Sequence, residues 1–247
     1  MRDFTPETYR NLLRALKAHG RFTLRHDVDL RPDRSLRLAE IEAGEGLTAT
    51  YYFRTVPESY DEDYIRRITA LGHDAGYHYE CLTTCHGDME AALEDFQQNL
   101  KRLRSVVPIV KACAHGSPKS PYNSMDLWQQ HDYHTFGIEH ESMLDTDFSQ
   151  TLYLTDTGRR WDGYRVSVRD KVPQYQDQWT REGLVFHTTD DLIRALQSPS
   201  HPIQKRPLLI NTHPQRWIPF GATWLEEAAV QRAKNIVKQV LVTIRKH

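Results

Sequence analysis

One α/β domain on a mostly parallel sheet, curled toward a barrel, is the fold the sequence predicts. Three observations predict it. Short apolar or β-branched runs alternate with amphipathic helical stretches along the 247 residues, the pattern that lays helices over parallel strands. About seven strand-like runs in a chain of this length favour a barrel over two small sheets. Four of those runs end in Asp or His, as they do where a barrel gathers a site at the C-terminal mouth of its strands.

The elements follow in order. An amphipathic helix opens the chain, and the run RFTLRHDVDL after it suits a strand, with Phe22, Leu24, Val28 and Leu30 as its apolar members. Pro32 introduces a helix over 33–45, closed by Gly46, because glycine tolerates the left-handed conformation that ends helices. The β-branched and aromatic run 48–54 is a second strand. A helix over 61–71 ends at Gly72, and 74–80 is the third strand. Leu93, Phe96, Leu100 and Leu103 recur at helical spacing in a helix over 88–106. Strands are expected at 110–115, 135–138, 152–155, 184–187 and 208–212, and helices at 190–197 and 224–245. The stretch 117–173 has weak periodicity and reads as long loops over one barrel face.

Composition narrows the classes. A formal net charge of -1 gives no field to gather nucleic acid or an anionic membrane. No run reaches the roughly 18 apolar residues of a membrane span, and the polar first helix lacks a signal peptide's apolar core. Three cysteines, Cys81, Cys85 and Cys113, are an odd number and fit free thiols in a reducing compartment. The expectation is a cytoplasmic chain without a membrane span and without a nucleic-acid partner; its oligomeric state is left open.

Thirteen histidines direct attention to metal and proton chemistry. In Arg25-His26-Asp27-Val28-Asp29 the two carboxylates stand at i and i+2, on one side of a strand. Two such carboxylates are costly together unless a cation or proton lies between them; the alternative is a pair of loop acids, one capping the next helix. His78 and Glu80 share the same relation and offer the nitrogen and oxygen donors of a divalent metal; the alternative is a core histidine bonded to a carbonyl. His115 follows another strand, and His213, with Trp217 nearby, follows the last. Cys81, Cys85 and His86 look like part of a zinc knuckle but lack a second ligand pair. Lys111 and Lys119 are phosphate contacts or solvated surface.

The order HDVD, GHDAGYH, a His loop and THP resembles the polysaccharide deacetylase family of carbohydrate esterases. It is most similar to a divergent bacterial branch with RHDVD, HGSP, YLTDTGRRWDG, SVRDKV and NTHPQRW, here beginning at Arg25, His115, Tyr153, Ser167 and Asn211. The resemblance implies a distorted (β/α)7 barrel over 1–247 as a single domain. It implies Asp27 as catalytic base, His213 as general acid, and Asp29 and His78 as ligands of one divalent ion. Zn²⁺ leads; Co²⁺, Ni²⁺, Fe²⁺ and Mn²⁺ take similar donors. Where the family has a second metal histidine this chain has Leu82, and His115 replaces it, with Glu80 as the alternative and His86 behind. The family's arginine beside the base has no match in AHGSP; Arg25 or Arg160 is its candidate substitute. Asp156, Arg160, Trp161 and Trp217 are expected to contact substrate, the other reading of Trp161 and Arg160 being a packed ring and a braced acid.

The function so implied is metal-dependent hydrolysis of an acyl group on a carbohydrate or nucleotide-sugar intermediate of surface-polysaccharide synthesis. A carbohydrate-binding protein that kept the barrel and lost the chemistry, or another metal-dependent C–N hydrolase, are the competing readings.

Overall fold

The computed structural model describes residues 2–117, 120–167 and 169–244, with side chains to residue 236. Pro118, Lys119, Val168 and Arg245, which fall within expected motifs or elements, lie outside the described residues. The strands are β1 (Phe22–Val28), β2 (Thr50–Phe53), β3 (Asp74–Tyr79), β4 (Lys111–Ala114), β5 (His140–Glu141), β6 (Leu152–Thr155) and β7 (Leu208–Thr212). They form one seven-stranded sheet in the order β5-β4-β3-β2-β1-β7-β6, and every pairing is parallel. Among the described residues β5 and β6 do not pair, so the curled sheet is the incompletely closed (β/α)7 barrel that the sequence predicts.

The helices are α1 (Pro6–His19), α2 (Pro32–Gly44), α3 (Glu62–Ala70), α4 (Cys81–Thr84), α5 (Met89–Arg104), α6 (Pro173–Arg181), α7 (Thr189–Gln197) and α8 (Ala222–Ile244). Local chemistry sets their ends. Thr5 caps α1 by accepting from the Thr8 N–H, and Gly20, at φ 77°, supplies the left-handed residue that stops it. Asp61 and Asp88 cap α3 and α5 in the same way, and Thr188 with Asp191 forms a capping box at α7. No helix among the described residues is long and apolar enough to cross a membrane.

Three sequence expectations are corrected. Residues 135–138 lie in and just after a 3-10 turn, Tyr133–Phe136, and the strand is the two-residue β5 beyond it. Residues 184–187 carry no ladder; Leu184 and Phe186 are buried there without strand pairing. Helix α6 occupies the end of the stretch read as loop and the residues after it.

Alternation along β1 divides the molecule. Arg25 and Asp27 face the barrel cavity, whereas His26 faces the helices, against Tyr9 of α1, Tyr51 of β2 and Glu42 of α2. There Glu42 is wholly buried and accepts from the hydroxyls of Tyr9 and Tyr51. His26 Nε2 lies 2.8 Å from the same carboxylate, in a geometry short of a hydrogen bond, while its Nδ1 is 2.6 Å from the Thr212 hydroxyl. On the cavity side Gly76 is required: a Cβ there would come within 2.5 Å of the Tyr52 ring, which lies across the barrel under Arg25.

Candidate metal centre and active site

The C-terminal ends of four strands bring carboxylates and histidines to one cavity of about 370 Å³. Asp27 comes from the last turn of β1 and Asp29 from just beyond it, His78 from β3, His115 from the residue after β4, and His213 from the residue after β7. Asp156, the residue after β6, stands behind His213.

Each side chain is oriented by a second group. His78 Nδ1 lies 3.0 Å from the Cys113 carbonyl, which fixes the proton on Nδ1 and leaves Nε2 facing the cavity. His115 Nδ1 lies 2.9 Å from Glu80 Oε2, while Arg54 donates to Glu80 Oε1. Burial works to raise the Glu80 pKa, but His115 and Arg54 overcome it and hold it at about 2. Glu80 therefore orients His115 instead of facing the cavity itself. Leu82 is buried in α4 and His86 is exposed beyond it.

Asp29 Oδ1 is buried and accepts no hydrogen bond. It lies 3.7 Å from His78 Nε2 and 3.5 Å from His115 Nε2. These three donor atoms sit within 4.8 Å of one another. Tetrahedral neighbours around an ion with bonds of about 2.1 Å lie about 3.4 Å apart, so an orphaned carboxylate oxygen and two free imidazole nitrogens fit a divalent ion. Asp27, His78 and Cys113 also lie close, but Asp27 is already engaged and burial pushes the Cys113 thiol far up, away from its ligating form. Cys81, Cys85 and His86 form no such group among the described residues.

Asp27 is held by Arg25, whose Nη2 donates to both carboxylate oxygens at 2.9 Å, and by Asn211 Nδ2 at 2.9 Å. Burial raises the Asp27 pKa, yet the Arg25 guanidinium, with His78 and His213, holds it well below the usual carboxylate range. Arg25 thus stands beside the expected base; Arg160 instead pairs with Asp162. Asn211 Nδ2 also donates to the Tyr153 hydroxyl, which donates to Asp170.

His213 Nδ1 lies 2.6 Å from Asp156 Oδ1, and Nε2 faces Asp29 Oδ2 at 3.9 Å. Burial and Arg216 lower the His213 pKa, but Asp156 and Asp29 outweigh them and raise it. The wholly buried Asp156 also accepts from Arg216 and from the Trp217 indole N–H at 2.7 Å.

The four residues expected at substrate are placed otherwise. Asp156, Arg160, Trp161 and Trp217 do not line the cavity. Trp161 is buried with its N–H on Thr189 Oγ1, Trp217 is buried against Phe4 and Tyr9, and Asp156 is spent on His213. At these positions stand two packed rings, a braced acid and a carboxylate that orients a histidine. The cavity wall is completed instead by Arg169, Asp170 and Lys171 of the SVRDKV run, which the sequence marks only as a motif string. Lys111 pairs with Asp74.

No protein-family model matches the chain, and no curated protein matches it. Among solved structures it is similar to a mutant form of peptidoglycan deacetylase PdaC from Bacillus subtilis, at 10% identity and a TM-score of 0.40, over 88% of this chain and 95% of that one.

Proposed function

We propose that this protein is a metal-dependent hydrolase that removes an acyl group from a carbohydrate, with an acetylated sugar intermediate of surface-polysaccharide synthesis as the substrate class. One observation carries the reading: an oxygen–nitrogen–nitrogen donor set with an orphaned acceptor, flanked by a carboxylate and an Asp-paired histidine in one cavity. Asp29, His78 and His115 would hold the ion, which supplies Lewis acidity toward an acyl oxygen and water.

The protein's own groups do the rest. Asp27, kept ionised by Arg25, accepts the proton of the attacking water. Asn211 and Arg25 fix the direction of that carboxylate. His213 Nε2 delivers a proton to the leaving amine or alkoxide, and Asp156 favours the protonated imidazole that this requires. Burial of Asp27, His78 and His213 keeps bulk water from competing.

Metal content of the purified protein, measured by mass spectrometry beside Asp29→Ala and His78→Ala variants, tests the centre. Near-stoichiometric Zn²⁺ or a similar ion, lost in both variants, with acetate released from acetylated sugars, is expected. A protein that takes up no metal on reconstitution would overturn the reading in favour of a sugar-binding barrel. Metal without release from any acetylated sugar would move it to another C–N hydrolase.

A further inference from the structure

Among the described residues the cavity has four Arg or Lys residues in its wall: Arg25, Arg169, Lys171 and Arg216. Two spend their charge on buried carboxylates, Arg25 on Asp27 and Arg216 on Asp156. Arg169 differs. Its Nη2 donates to three neutral carbonyls, of Ser120, Pro121 and Tyr122, and its Nε is buried without a partner. Among the described residues no carboxylate pairs with it.

Its position is built. Asp170, next in the chain, accepts from the hydroxyls of Tyr153, Thr155 and Thr157, pinning residues 169–171 to β6. On the other side the strap presses on Gly116, where a Cβ would come within 2.5 Å of Arg169 Cβ. The strap is thus anchored from below and abuts the His115 loop, so Arg169 is fixed as part of the cavity wall. Arginine suits phosphate and carboxylate oxygens, and Arg169, although its Nη2 is engaged by carbonyls, keeps a positive charge that no carboxylate among the described residues offsets. A cavity of 370 Å³ falls within the range of about 300–1,000 Å³ that takes a small molecule.

We propose that the cavity receives a sugar bearing an anionic group, phosphate or carboxylate, and that Arg169 binds that anion from the strap beside the metal centre. The proposal rests on the sugar-substrate reading above and narrows it.

The test is calorimetric binding to the Zn²⁺-loaded protein of glucose 1-phosphate, glucuronate and glucose, none of which carries an acyl group to hydrolyse. At least one anion should bind roughly tenfold or more tightly than glucose, as one charge-assisted contact permits. That advantage should weaken with salt and vanish in Arg169→Gln. Preference for glucose 1-phosphate alone assigns a phosphate, for glucuronate alone a carboxylate. Arg169→Gln also removes the carbonyl bonds of the strap, so Arg169→Lys is measured beside it; keeping the charge, it should retain part of the advantage. No advantage for either anion, or one unchanged in Arg169→Gln, overturns the proposal. Anion binding without deacetylation of any sugar sinks the hydrolase reading alone; deacetylation without anion preference sinks this one alone.

Discussion

β1 separates two clusters of the same chemistry, carboxylate with histidine, and their difference distinguishes a structural network from a site. On the helix side Glu42 is met by Tyr9, Tyr51 and His26 and is wholly buried. On the cavity side Asp29 keeps a buried oxygen with no hydrogen bond, and two imidazoles turn free nitrogens toward it. A sealed, satisfied carboxylate fixes the packing of helices on strands. An unsatisfied one costs stability and persists where a ligand repays it.

The comparison can be broken in five ways. Asp27→Asn should lower turnover by about 10²–10⁴-fold, the range for losing a general base, with metal content intact; unchanged turnover would remove Asp27 from the base role. Glu42→Ala should do the opposite. It strands two hydroxyls and an imidazole in the core and should cost about 3–5 kcal/mol, a fall in Tm on the order of 10 °C, while the folded fraction keeps its metal.

The same residue carries a pH signature. Burial raises the Glu42 pKa, but His26 and the Tyr9 hydrogen bond bring it below its ordinary value. The unfolded state therefore binds the proton first as pH falls. The stability Glu42 contributes is complete above its unfolded pKa of about 4.3 and is lost as pH drops through the lower folded value. Glu42→Gln should flatten that acid limb in thermal denaturation across pH; an unaltered limb would show that the charge contributes nothing.

The fourth break is subtler. Glu80→Gln should weaken metal affinity by about 10–100-fold, because His115 loses the partner that orients it; competition with a chelator reads this directly. Equal affinity would return Glu80 to a purely structural role with Arg54. The smallest effect is expected at Tyr153→Phe, which cuts the link from Asp170 through Asn211 to Asp27. About a tenfold fall in kcat with KM unmoved marks a group that positions the base; a change in KM alone would contradict it.

Much of the cavity cluster was legible in the sequence. Asp27 with Asp29, His78, His115 and His213 each stand at or just past a strand end, and two-residue periodicity carries that information. The Glu42 cluster was not, because its members come from α1, β1, α2 and β2 and a glutamate on a helix reads as solvent-facing. Asp156 was read as touching substrate, since a chain position shows neither that a carboxylate is buried nor that it reaches a histidine 57 residues away. Arg169 gave no signal beyond its motif string, as its meaning depends on which acids are absent around it. Among the strands, β5 escaped because two residues have no period to detect, while Leu184 and Phe186 mimic a strand by being buried.

The seam between β5 and β6 has a mechanical consequence. A fully bonded ring transmits any change of radius to every strand, whereas a ring with one gap can widen there without stretching a ladder. The strands that carry Asp27, His78, His115 and His213 belong to the unbroken arc of β4, β3, β2, β1 and β7, so the backbone spacing of those groups is set by ladders that the gap does not interrupt. Insertions or deletions at 147–151, beyond Ser142, which accepts from Arg25, and Met143, which lines the cavity, should therefore be tolerated by the site more readily than equal changes between any two strands of the arc.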